Sequence, residues 1–226
     1  MSLAGLGVVA IWHDLLPAAR DDFYEWHNRE HMPERVGIPG FRRGRRYVAA
    51  RGGPEFFNLY EADSAETLAG QDYVTRLNSP TPWTARVVPS FRNVARSVCR
   101  VAFTNGVGSG GTMLTLRFAV DAAQRESVVD SLRRRVLPSL VYRKGVCGVH
   151  LCLADEAASN IETAERKARA DTTDIPAWIV LIEGIGGPEV ESAADELASS
   201  VAEAKPAQRA VYRLEYTRLK TPWAAG

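Results

Sequence analysis

The chain repeats itself at a spacing of 105 residues. Pro33 and Gly40 in HMPERVGIPGFRRGRRYV align with Pro138 and Gly145 in LPSLVYRKGVCGVHLCLA. A duplicated skeleton restricts the fold to architectures in which two like units pack together. The copies nevertheless differ in kind. At the same offset His27 and His31 face Leu132 and Val136, while Arg43, Arg45 and Arg46 face Gly148, His150 and Leu151. The first copy is polar where the second is apolar, as expected if one is built for chemistry and the other for packing.

Each copy reads strand, helix, strand, strand, helix, strand. The glycine-rich TNGVGSGG, Thr104 to Gly111, separates them, giving units at 1–105 and 106–226. In the first, residues 5–13 form an apolar strand and Pro17 suits a helix first turn. Pro33 has no N–H and clashes with the preceding turn, which predicts a helix end near Met32. Ile38-Pro39-Gly40-Phe41 places proline and glycine at the centre of a type II turn. Strands follow over 41–50 and 55–62, hinged at Gly52-Gly53-Pro54. Ser64 starts a second helix, and residues 89–103 supply the last strand. The second copy gives strands over 112–120, 146–154, 177–184 and 208–219, with helices over 122–142 and 188–201. Between Glu61 and Glu183 the offset has grown to 122, so about 17 residues are inserted, within 155–175. Ala157–Ala170 reads as a short exposed helix, since a surface loop tolerates added length. The βαββαβ order is that of the split-βαβ unit. The fold class is therefore α+β, two tandem ferredoxin-like units packed sheet against sheet.

Trp26-His27-Asn28-Arg29-Glu30-His31-Met32-Pro33-Glu34-Arg35, followed by Pro39-Gly40-Phe41 and Arg45-Arg46-Tyr47, resembles the W…EH-x-PER…PGF…RRY pattern of dimeric α/β-barrel proteins. It looks similar to EthD-like members in particular. The resemblance takes in Phe57–Glu61 and Ser79–Thr84 and covers most of the first copy; the second shares only the skeleton. It implies that the two units form a pseudo-dimeric α/β barrel. Members of that superfamily include cofactor-free monooxygenases, isomerases and decyclases, and haem-binding enzymes such as chlorite dismutases. Fold alone does not choose among them. His27 departs from the pattern, which implies an aromatic residue there, often tyrosine.

On the first helix Phe23, Trp26, His27 and Glu30 share a stripe, with His31 on its flank. Burying such polar groups unpartnered costs on the order of 1–3 kcal/mol each, so they are paired or line a wet cavity. His31 is the candidate general base or acid, because imidazole titrates near neutral pH. Glu30 is its acidic neighbour, and Trp26 an aromatic wall. The structural alternative has Glu30 holding a strand arginine and His31 bonding a carbonyl freed by Pro33. Arg42, Arg43, Arg45 and Arg46 fall on one strand, whose alternation sends Arg43, Arg45 and Tyr47 to one face and Arg42 and Arg46 to the other. Most would guard a sheet margin; Arg46 or Arg45 would hold a carboxylate or enolate bidentately. His13, Tyr60 and Trp83 complete the candidate ligand contacts, with Trp83 in the SPTPWT segment placed to cover a pocket mouth. His27 to His31 also spells H-x-x-E-H, but a third zinc ligand is missing and Pro33 follows at once. His13, His27 and His31 keep metal or haem binding as an alternative.

A net charge of +1 offers no bulk attraction to nucleic acid, and the best apolar run, IPAWIVLIE, is too short for a membrane span. Three cysteines without metal spacing fit a reducing cytoplasm. The resulting expectation is a cofactor-independent oxygenase- or isomerase-type enzyme on a small hydrophobic or aromatic carbonyl compound, with His31, Arg46 and Glu30 catalytic. The alternative is a non-catalytic small-molecule-binding or stress-related protein. A homodimer is a further expectation.

Overall fold

The computed structural model describes residues 2–169, 173–204 and 208–220. Its eight strands are β1 (Gly7–Leu15), β2 (Phe41–Arg51), β3 (Phe56–Ala62), β4 (Phe91–Gly106), β5 (Thr112–Phe118), β6 (Val146–Ala154), β7 (Trp178–Gly184) and β8 (Gln208–Leu219). They close into a barrel in the order β1-β3-β2-β8-β5-β7-β6-β4, every neighbour antiparallel. Within each half the order is the ferredoxin-like one, 4-1-3-2 and then 8-5-7-6. The halves join at β2–β8 and β4–β6. β2 is therefore no margin: Arg45 pairs with Leu59 on one side and Thr217 on the other. Closure removes the edges that its arginines were expected to guard.

Strand alternation divides the core into layers. Val8, Ala10 and Trp12 of β1 point into the barrel with Tyr47, Phe57, Leu59, Cys99, Cys152 and Tyr212. The opposite rows face the helices, which is why β3 and β7 are buried along their whole length. The first copy's helices are α1 (Arg20–Trp26), α2 (Met32–Gly37), α3 (Ala65–Ala69), α4 (Gln71–Asn78) and α5 (Pro82–Val87). Those of the second are α6 (Arg125–Ser131), α7 (Leu137–Leu140), α8 (Glu156–Asn160), α9 (Ala164–Ala168) and α10 (Gly187–Ser200). Under α6, α7 and α10 the second copy is filled with Leu114, Leu116, Leu132, Val136, Val180 and Leu197. No described helix is long and apolar enough to cross a membrane.

Pro33 does not end the first helix. A π turn, His27–His31, joins α1 to α2, and the Met32 N–H reaches back five residues to the His27 carbonyl. The Asn28 carbonyl, five residues before Pro33, takes the Tyr216 hydroxyl instead (3.4 Å). The wider turn thus tolerates a residue that an α register rejects. The second copy repeats the device at Leu132–Val136, just ahead of Pro138. Local turn chemistry held elsewhere: Gly40 has φ +80° with the Phe41 N–H on the Ile38 carbonyl, as a type II turn requires.

The inserted segment is not a single exposed helix. It forms α8 and α9, burying Ala158, Ser159 and Glu165; Ala170 lies outside the described residues. β4 outruns β6, which pairs only with residues 99–106. The insertion covers what remains. The Asp155 N–H reaches the Val98 carbonyl (2.8 Å), the Val98 N–H reaches Ser159 Oγ (2.9 Å), and Asp174 bonds the backbone of Val94 and Arg96 (2.9 and 2.8 Å). A segment of the second copy thereby lies over the first.

Candidate functional site

The π turn puts His27 and His31 side by side between the helix and the outer face of β1 and β3. Their rings lie 5.6 Å apart at 24°, and Trp26 packs on His31 at 4.2 Å. Arg46 comes from β2 to donate from Nη1 to His27 Nδ1 (3.0 Å). A guanidinium only donates, so His27 carries its proton on Nε2, facing the Tyr60 hydroxyl at 3.3 Å. Burial, then the charge of Arg46, holds the His27 pKa well below the ordinary imidazole range. Burial keeps the Tyr60 phenol protonated by raising its pKa. Both nitrogens of His27 are therefore engaged. His31 differs: it is buried, its Nδ1 has no hydrogen-bond partner, and burial together with Arg35 lowers its pKa well below the ordinary value. The carbonyl bond expected for His31 is not made through that nitrogen.

Beside His31 is a narrow cavity of about 30 Å3. His27, Tyr60 and Tyr73 line it, and so do Arg35 of α2, Arg96 of β4, and Glu165 and Arg169 of the insertion. Arg35 is buried in an ion pair with Glu165 and meets Glu34 at 3.2 Å. Arg96 donates to the Tyr73 hydroxyl (3.3 Å). Burial alone would raise the Tyr73 pKa, yet Arg96 and Arg35 bring it below the ordinary phenol value. Burial, and then Arg96, pulls the Arg169 guanidinium down to about 9. The cavity is strongly cationic.

The sequence-derived candidates separate on this geometry. His31, His27, Trp26 and Tyr60 line the cavity. Arg46 does not; besides His27 it holds Asn28 Oδ1 (2.8 Å) and Glu215 (2.9 Å), which makes it a positioning residue. Arg45 points the other way, into the barrel, where Glu61 and Glu183 take it up at 2.9 Å each. Glu30 accepts from Thr81 of the α5 N-cap, 3.5 Å from Thr84 Oγ1, rather than from a strand arginine. Trp83 donates to Asp22 (2.8 Å) on the half-buried seam between α1 and α5 and covers no mouth. His13 stacks on Phe91 at 4.1 Å; its Nδ1 is 3.1 Å from the Asp14 carbonyl and its Nε2 accepts from Asn58 (3.0 Å). With His13 and His27 engaged at both nitrogens, the three histidines do not fit a metal ion. A haem macrocycle is many times larger than the cavity and does not fit either.

Sequence reasoning missed Arg35, Arg96, Glu165 and Arg169. One signal was available. On β4 the helix-facing row runs Val94, Arg96, Val98, Arg100, and Arg96, flanked by two valines and buried where Arg100 is exposed, is a charge that needs a reason.

No protein-family model matches the chain, and no curated protein does. Solved structures do. An anthrone oxidase-like protein superposes with a TM-score of 0.64 at 14% identity, over 98% of this chain and 96% of that one. The chain has the dimeric α/β-barrel fold. A protein of Fusobacterium nucleatum named as a monooxygenase gives 0.61 at 8% identity, covering 96% of both chains. A chlorite dismutase variant of Candidatus Nitrospira defluvii gives 0.51 at 10%, over 92% and 91%. Identities this low speak for the barrel and leave the EthD-like resemblance to the sequence motif.

Proposed function

We propose that this chain is an oxygenase- or isomerase-type enzyme that works by proton transfer on a small carbonyl compound. One observation carries the proposal: a neutral histidine with an unpartnered ring nitrogen beside a cavity rich in guanidinium groups. His31 takes a proton from the carbon next to the carbonyl, leaving imidazolium and an enolate. The nearby cations stabilise that anion more than they do the neutral substrate, which is the condition for catalysis. Return of the proton to a different carbon is an isomerisation; attack of the enolate on dioxygen begins an oxygenation. Trp26 walls the site, and Arg46 fixes the His27 tautomer. Because one chain closes the barrel, a homodimer would have to form through contacts outside it.

Wash-in of deuterium at the α-carbon, followed by NMR for a panel of small ketones and oxo acids in D2O, tests the proposal. Wild-type protein is expected to accelerate exchange for at least one compound. His31→Gln should reduce that rate by about 10²–10⁴-fold, the range for a lost general base, at an unchanged melting temperature. Absence of exchange across the panel, or equal exchange in the variant, rejects it. A binding protein without turnover is the second reading, favoured by the weakened basicity of His31, which burial and then Arg35 hold well below the ordinary imidazole range.

A further inference from the structure

The charges around the cavity do not balance. Among the described residues Arg35, Arg96 and Arg169 line it against one carboxylate, Glu165, and Arg35 has taken that. Arg96 has only a neutral phenol, Tyr73, at 3.3 Å. Among the described residues Arg169 has no partner at Nε and only the Thr173 hydroxyl, at 3.5 Å, at Nη1. Buried guanidinium groups are ordinarily matched by carboxylates, since an unpaired charge in the interior is costly. Here Arg96, buried, and Arg169, half-buried with its Nε enclosed, face a cavity that offers them no carboxylate among the described residues.

We propose that the missing anion is the ligand itself, a small carboxylate held by Arg96 and Arg169, with the insertion of the second copy delivering Arg169 over the first copy's chamber. Planar guanidinium groups match a carboxylate bidentately, and a cavity of about 30 Å3 favours that group over the bulkier phosphate. The downward shift of Tyr73, which Arg96 and Arg35 impose against burial, reports the same uncompensated field. The inference rests on the proton-transfer reading above and narrows its substrate to a small oxo acid, whose carboxylate meets the arginines while the C–H carbon beside its keto group meets His31. It also gives the insertion a purpose beyond covering β4.

Titration calorimetry with acetate, its neutral isostere acetamide, and phosphate tests it. Acetate should bind saturably, acetamide not at all, and phosphate more weakly. Arg169→Met should weaken acetate at least tenfold without lowering the melting temperature, because an unpaired cation is being removed; Arg169→Lys should recover part of the affinity. Should Arg169→Met fail to fold, the acetate and acetamide comparison on wild-type protein still decides. Equal binding of acetate and acetamide, or acetate affinity untouched in Arg169→Met, overturns the inference. Deuterium exchange into neutral ketones without acetate affinity would also sink it while sparing the proton-transfer reading. Acetate affinity with no exchange on any compound does the reverse.

Discussion

Replacing Arg45 with methionine separates a barrel strut from a ligand contact. Arg45 donates from Nε to Glu61 (2.9 Å) and from both terminal nitrogens to Glu183 (2.9 and 3.1 Å), all three side chains being sealed inside the barrel. Glu61 has other support, from Arg43 at 2.7 and 2.8 Å and from the Ala4 N–H at 2.7 Å. Among the described residues Glu183 keeps only His150, at 3.3 Å. Burial alone would raise the Glu183 pKa, but the His150 bond and Arg45 outweigh it and hold the carboxyl at about 2. Relative to an ordinary glutamate, that depression stabilises the folded state by about 3 kcal/mol. The sign follows directly: a carboxyl with a depressed folded pKa contributes fully above its unfolded value and loses the contribution as pH falls toward 2. Removing one partner of a buried pair costs about 3–5 kcal/mol, in agreement. Arg45→Met should therefore lose about 3–5 kcal/mol in urea melts at pH 7 and unfold at a higher pH in acid. Adding Glu183→Gln should restore part of the loss, because no bare carboxylate remains. A variant within about 1 kcal/mol of wild type, with the same acid midpoint, would refute the strut and return Arg45 to the ligand candidates.

Two smaller tests probe the frame. Gly40 has φ +80°, and a Cβ there would lie 2.5 Å from Thr67 Cγ2, so Gly40→Ala should lose more than about 1 kcal/mol and lower the melting temperature by about 2–4 °C; an unchanged calorimetric melt contradicts this. His13 is held neutral by burial, its pKa near 4 against an ordinary 6.5. The unfolded chain gains that proton first, so stability should drop by up to about 3 kcal/mol between pH 6.5 and 4. His13→Gln should flatten the slope in urea melts at pH 7 and 5, and a parallel slope in the variant speaks against it.

The fold was readable where the rules are local. Gly40 and Gly145, with φ +80° and +77°, occupy turns that demand glycine, and the strand pattern with its duplication led to the ferredoxin-like order. Local rules failed where packing overrode them. Proline forbids an α register, yet burial of Trp26, His27 and His31 favours a continuous helix, and a π turn satisfies both. Partner choice was not readable. Arg35 and Glu165 are 130 residues apart, Arg45 and Glu183 138 apart, and nothing near either arginine in the chain points to its acid. The same holds for the insertion, whose length and polarity suggested solvent although the unpaired stretch of β4 was waiting for it.

The second copy supplies the control for His31. Val136 occupies its place on the equivalent π turn, and both residues are 8% exposed. Valine there meets an apolar cluster, whereas His31 leaves a ring nitrogen without a partner, a burden of about 1–3 kcal/mol. If the histidine were structural, removing it would break a contact and destabilise the protein. If it is retained for chemistry, His31→Val should leave stability at pH 7 unchanged or raise it by up to about 2 kcal/mol, with the small void left by the shorter side chain as the opposing effect. The acid side gives an independent check. His31 is held neutral well below the ordinary imidazole value, so the unfolded chain protonates first and the folded protein weakens as pH falls through that range. Valine abolishes that contribution, and the advantage of the variant should grow from pH 7 to pH 5. Urea melts at both pH values measure it. A loss above about 2 kcal/mol at pH 7, or an advantage that shrinks in acid, would show that His31 anchors the helix and that the polarity of the first copy belongs to its architecture. Stability gained together with loss of α-carbon exchange would show the opposite: a destabilising side chain kept at the one place where it does chemistry.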